Sequence, residues 1–278
     1  FWKSRGILQH LRNLKPAYLV VGGWFDAEDL FGVLSTYKEI EKNNPGIKNM
    51  ITMGPFGHGD WASESGHHKH YQLYWGDSLS TFYQKEIEGK FFRHYLKESG
   101  DGKNGLPEAY MFNTGKKVYE QFSKWPPANI NRKKLYLDSN EKISFDSPKI
   151  SGFTEYISNP DKPVPYTMDI AGSFGITPRN YMSEDQRFAS SRPDVLVYET
   201  EILADDITLG GEISVKLSVS TTGTDADWVV KLIDVYPVDE PNSNHTDKAV
   251  TLAGYQQMVR SEIMRSRFRN SFEKPEPM

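Results

Sequence analysis

Asp26 and His58 are the residues of this chain whose types and surroundings invite acid–base chemistry. Asp26 opens a run of three carboxylates, Asp26, Glu28 and Asp29, within four positions of the stretch GGWFDAED, directly after an apolar run. His58 stands in a second glycine-rich stretch, MGPFGHGDW, 32 positions further on. An imidazole acts as a general base near neutral pH, and a carboxylate beside it fixes its tautomer and stabilises the imidazolium. The two are therefore two thirds of a hydrolytic triad. The plain alternative is a turn at His58 and acidic residues at a helix start, where they meet the helix dipole favourably.

Both residues follow short apolar runs. Residues 17–21 (AYLVV) read as a buried strand, and residues 49–53 (NMITM) as a second. Between them, residues 28–42 carry Leu30, Leu34, Tyr37 and Ile40 at helical spacing and break at Asn44-Pro45-Gly46. A further helix is expected over 78–97, with Phe82, Ile87, Phe91, Phe92 and Tyr95, ending near Gly100. Strand and helix alternating at these lengths define a parallel α/β sheet, which binds ligands beyond the carboxyl ends of its strands. From about Pro107 the pattern changes to short alternating pieces separated by Gly, Pro, Asn and Asp: residues 109–112, 134–137, 212–220 (EISVKLSVS) and 228–235, the last the strongest strand. These predict an antiparallel β-sandwich. Residues 254–269, rich in Arg and Met, read as a long connection or a helix. The expected division is residues 1–125, α/β, and residues 126–278, all-β.

Composition narrows the function. At 278 residues the chain holds one large domain or two, and its hydrophobic content of 37% fits a globular protein. A net charge of −4 offers no basic field for nucleic acid. No segment approaches the roughly 18 consecutive apolar residues of a membrane helix. Cysteine is absent, which removes disulfides and thiolate metal sites and decides no compartment. In α/β-hydrolases the triad runs Ser, then Asp, then His. That order puts the nucleophile before residue 1, and no G-x-S-x-G elbow occurs in the chain. The stretches 32–35 and 172–175 lack its spacing. Neither end carries a start or stop signal of a complete chain, so a fragment is expected, with a missing N-terminal segment carrying the serine as its partner.

Residues 19–32 (LVVGGWFDAEDLFG) and 53–61 resemble the Asp and His loops of the CocE/NonD serine hydrolases. That family includes α-amino acid ester hydrolases, glutaryl-7-ACA-type acylases, cocaine esterase and X-Pro dipeptidyl-peptidase relatives. Residues 181–203 (YMSEDQRFASSRPDVLVYETEIL) and 220–237 (STTGTDADWVVKLIDVYP) resemble its C-terminal jelly roll, so the likeness runs over nearly the whole chain. The resemblance implies the C-terminal part of an α/β-hydrolase domain followed by a jelly-roll β-sandwich whose closing strands are missing. It implies Asp26 and His58 as catalytic, with Glu28 and Asp29 as two members of a carboxylate cluster that grips a substrate's α-ammonium group. Trp61 and Trp75 would wall the acyl pocket or serve as packing aromatics. The implied activity is acyl ester or amide hydrolysis through an acyl-enzyme, leaning to α-amino acyl, β-lactam-type small molecules. A glutaryl-type acylase or X-Pro dipeptidyl-peptidase is the nearest alternative, and a non-catalytic jelly-roll binding module the alternative of another class. No cofactor is implied. The family leans to homo-oligomers and to a secreted or periplasmic location.

Three further clusters invite structural readings. In residues 66–70 (GHHKH) no histidine pair has the i, i+4 spacing of a helical zinc site, and a solvated loop is expected. Asp185, Arg187, Arg192 and Asp194 are expected to lock the jelly roll onto the hydrolase part. Asp225, Asp227 and Asp234 could suggest calcium, but such a site needs a tight loop of the D-x-D-x-D-G kind, and residues 224–227 (TDAD) are too short to decide it.

Overall fold

The computed structural model describes residues 2–97, 105–168 and 179–278; the stretch 172–175 and the expected helix end at Gly100 lie outside them. Strand β1 (Tyr18–Gly23) pairs in parallel with β2 (Asn49–Gly54), from Tyr18 opposite Asn49 to Gly23 opposite Gly54. β2 pairs in parallel with β5 (Ala109–Asn113), and β6 (Val118–Phe122) closes the sheet antiparallel to β5. Side chains alternate across this sheet, as the period of two requires. Ile51, Met53, Ala109 and Met111 pack on one face against Tyr37 of the helix Leu30–Asn43. Tyr110 packs on the other with Tyr83 and Ile87 of a helical stretch over 79–96, whose middle turn Tyr83–Glu88 is π-helical. Helices thus cover both faces, as a parallel sheet demands.

Between β2 and that helical stretch, β3 (His67–His70) and β4 (Leu73–Asp77) form an antiparallel hairpin. The expected solvated loop at 66–70 is therefore corrected. His68 and His70 are buried while His67 and Lys69 are exposed, the alternation of a strand with one face on the core.

Beyond β6 the chain is β-rich. A short ladder joins β7 (Tyr136–Leu137) to β8 (Ile143–Ser144), and β9 (Asp227–Val235) pairs antiparallel with β10 (Gln256–Arg265). Three expectations change here. Residues 109–112 belong to the first sheet, because AYMF is buried on both faces. Residues 256–265 form a strand although Met, Arg, Gln and Glu favour helices, since pairing with β9 overrides a weak intrinsic preference. Residues 212–220 form no regular strand and are exposed throughout, because alternation alone supplies no neighbouring ladder. No helix among the described residues is long and apolar enough to cross a membrane.

The cluster that joins the two parts contains Phe25, Trp75 and Phe112 from the first and Met182, Tyr255 and Met258 from the second. It lies directly beneath the loop after β1. Phe56, in the turn after β2, packs so closely on the ends of both strands that only glycine fits at positions 23 and 54. A Cβ at Gly23 would stand 2.0 Å from the Phe56 carbonyl oxygen, and one at Gly54 2.0 Å from the Phe56 ring. Gly23→Ala should therefore destabilise the protein by about 1–3 kcal/mol, the cost of overpacking a filled interior. Gly6→Ala, where the nearest atom is 3.5 Å away, should stay within about 0.5 kcal/mol. Urea midpoints of the two variants check the contrast.

Candidate active site

Because Gly23 faces Gly54 in register, the loops carrying Asp26 and His58 leave the sheet side by side at its carboxyl edge. The ladder runs on into them: Trp24 N–H donates to the Gly54 carbonyl at 2.9 Å and Phe25 N–H to the Phe56 carbonyl at 3.0 Å. These bonds turn Asp26 inward, where it is 2% exposed. Its Oδ1 accepts the backbone N–H groups of Glu28 at 2.8 Å and Asp29 at 3.0 Å. Short side-chain turns of this kind are a habit of aspartate. Its Oδ2 stands 3.0 Å from His58 Nδ1. A carboxylate can only accept, so Nδ1 carries the proton and Nε2 is the basic nitrogen.

The imidazole is the exposed partner. Its pKa is raised above the ordinary value, first by the hydrogen bond to Asp26, then by that carboxylate's charge and by the nearby charges of Glu28 and Asp29. Glu28 and Asp29 are exposed, and Asp29 sits at the start of the helix Leu30–Asn43. The structure therefore brings Asp26, His58, Glu28 and Asp29 to one sheet edge. Trp61 is half-buried a turn beyond His58, packed edge-on against Phe56 with ring centroids 6.4 Å apart. Trp75 is interior, 3% exposed and stacked on Phe25 at 4.9 Å, so it packs behind the Asp26 loop.

Sequence reasoning passed over Asp60, whose Oδ2 accepts Gly57 N–H at 3.0 Å and tightens the His58 turn. Its signal was an aspartate three residues after a glycine within a turn. Four of the remaining aspartates, Asp185, Asp194, Asp225 and Asp227, are paired with arginines. Asp185 pairs with Arg187 and Asp194 with Arg192, each two residues apart, and both arginines also donate to carbonyls at 162, 251 or 253. They staple the β-rich part internally, which corrects their expected place between the two parts. Asp225 pairs with Arg267 and Asp227 with Arg265. Among the described residues no group of three or more His, Cys, Asp or Glu is placed to hold a metal ion.

A groove of about 620 Å³ lies where β1 and β2 begin, lined by Asn13, Lys15, Asn44, Ile47, Lys48 and Tyr95. It is at the opposite end of the sheet from His58. Parallel sheets present their chemistry at the carboxyl edge, so this groove stands at the wrong end of the sheet to serve Asp26 and His58.

A buried aspartate bonded to a partly exposed imidazole, both delivered from the ends of adjacent parallel strands, has the form of the acid–base half of a serine-hydrolase site. Comparison with known proteins places the chain more narrowly. Residues 1–60, which hold both Asp26 and His58, match the X-Pro dipeptidyl-peptidase (S15 family) model. Residues 101–278 match the X-Pro dipeptidyl-peptidase C-terminal non-catalytic domain. The chain belongs to the CocE/NonD and X-Pro dipeptidyl-peptidase family of serine hydrolases.

Cocaine esterase of Rhodococcus sp. (strain MB1 Bresler) is 26% identical over 247 residues, covering 85% of this chain and 41% of the esterase. An aminopeptidase from a marine sediment archaeon, Thaumarchaeota archaeon, superposes with a TM-score of 0.86 at 30% identity, over 100% of this chain and 45% of its own. A selenomethionine-labelled α-amino acid ester hydrolase does so with a TM-score of 0.83 at 28% identity, over 100% and 46%. The chain thus spans under half the length of these relatives.

The raised His58 pKa has a defined pH signature. The fold favours the protonated ring, so this contribution to stability is complete below about pH 6.5, the unfolded value, and is lost as pH rises through the higher folded value. An NMR titration should place His58 above about 6.5. Asp26→Asn should bring it down, and salt should weaken the part owed to exposed Glu28 and Asp29 more than the part owed to buried Asp26.

Proposed function

We propose that this chain supplies the Asp–His half of a Ser-His-Asp hydrolase that cleaves acyl esters or amides, with the serine contributed by a segment preceding residue 1. The 3.0 Å contact between Asp26 Oδ2 and His58 Nδ1 carries the reading. His58 Nε2 takes the serine proton as the hydroxyl attacks the acyl carbonyl and returns it to the leaving group. Asp26 holds the tautomer and stabilises the imidazolium. A jelly-roll binding module would have no need for this contact.

Glu28 and Asp29 lean the specificity toward acyl groups with a free α-amine. Both stand on the loop that orients the histidine, close enough to raise its pKa, so a substrate ammonium held there lies beside the reacting carbonyl. The same field repels a glutaryl carboxylate. An X-Pro dipeptidyl-peptidase, which takes a free amino terminus, stays within this reading. Trp61, beside the His58 turn, is proposed as an aromatic wall for the acyl group. The β-rich part is read as residues 126–278 of a jelly roll following an α/β-hydrolase part, 1–125, a reading supported by the family match and the β9–β10 pair.

The test uses the full-length protein. His58→Ala should lower kcat by about four orders of magnitude or more. Phenylglycine methyl ester should be hydrolysed about 10- to 100-fold more efficiently than its des-amino analogue, the scale of a charge-assisted hydrogen bond. Glu28→Gln and Asp29→Asn should narrow that ratio, chiefly through the KM of the amino ester. Equal kcat/KM for the two esters in the unsubstituted protein would remove the ammonium grip, and an undiminished His58→Ala would remove the relay.

A further inference from the structure

The inward face of the β3–β4 hairpin touches both loops that carry the proposed catalytic pair. His68 donates from Nε2 to the Pro55 carbonyl at 2.9 Å, and its ring meets Phe56 edge-on at 4.8 Å. Burial holds this imidazole in its neutral form, with its pKa lowered. His70 stacks on Phe25, the neighbour of Asp26, at 5.1 Å and 23°. Its Nε2 also faces the His58 turn, 3.6 Å from where a Cβ on Gly57 would stand. On its other side, His70 Nδ1 lies 2.6 Å from Ser183 Oγ of the C-terminal part. Ser183 is itself fixed, because Tyr255 Oη donates to its carbonyl at 2.7 Å.

We propose that His70, held by Ser183, is a positioning residue: it braces the Asp26 and His58 loops against each other and transmits to them the support of the C-terminal part. The domain type matched by residues 101–278 is described as non-catalytic, and this contact gives it an indirect hand in catalysis. At the sheet edge the two loops are also tied by backbone bonds, Trp24 N–H to the Gly54 carbonyl and Phe25 N–H to the Phe56 carbonyl. The 3.0 Å Asp26–His58 bond lies beyond those ties. A rigid aromatic ring wedged at the root of both loops, and fixed from behind, limits the drift that bond could suffer. His68 does the same for the His58 loop alone, through Pro55 and Phe56.

This inference rests on the hydrolase reading, and its test separates the two. In the full-length protein, Ser183→Ala removes the hydroxyl partner with the smallest change of volume, and His70→Leu removes both the stacking ring and the polar link. His70→Asn restores a polar atom at the Nδ1 position. We expect Ser183→Ala to lower kcat about 10- to 100-fold, the scale of a small misplacement at a reacting centre, with KM within about twofold. We also expect the His58 pKa to fall toward its ordinary value, His70→Leu to do more, and His70→Asn to recover part of the loss relative to His70→Leu. Should Ser183→Ala stay folded with an unchanged kcat and an unchanged His58 titration, the positioning role is overturned and the contact is structural alone. The His58 titration reads the brace even if no ester is hydrolysed, so failure of the hydrolase reading leaves this test standing.

Discussion

The site depends on the division of one carboxylate. Asp26 gives one oxygen to two backbone amides of its own loop and the other to the His58 ring. The amides hold the first oxygen in its loop, and the second is thereby left to orient an imidazole. This works only because β1 and β2 end in register, with Phe56 packed so closely on Gly23 and Gly54 that neither has room for a side chain. A register shift of one residue would displace the Asp26 loop along the edge relative to the His58 loop and break their alignment.

Much of this geometry was legible before any coordinates. Two apolar runs, each followed by glycines and a chemistry-bearing residue, are enough to put Asp26 and His58 at the same edge of a parallel sheet. The helix over 30–43 was legible from its apolar spacing, because a surface helix carries its period locally. What escaped was whatever depends on a distant neighbour. β10 is written in helix-forming residues and becomes a strand only because β9 lies beside it. Residues 109–112 show an apolar run that fits a sandwich as well as a parallel sheet, and only the pairing of Ala109 with Ile51 decides.

The histidines of 66–70 show the same limit at the site itself. Adjacent histidines separated by one lysine look like a polar, solvated turn. On a strand they divide by parity, His67 and Lys69 outward, His68 and His70 inward. Burying an imidazole is costly unless its polar atoms find partners. Those partners are Pro55, in the His58 loop, and Ser183, more than a hundred residues away. No local pattern announces the second, so the link from the C-terminal part to the Asp26 and His58 loops is visible only in three dimensions.

Three like charges within four residues remain compatible with a stable loop because they occupy different dielectric surroundings. Asp26 is buried, and its charge is met at hydrogen-bonding distance by amides and an imidazole, where solvent screens little. Glu28 and Asp29 face water at a helix start, where mutual repulsion is screened and the helix dipole opposes it. Their field still reaches the histidine and raises its pKa alongside Asp26. A cationic group that displaced water from that pair would meet an attraction strengthened by the same desolvation. It would also offset their pull on the imidazole.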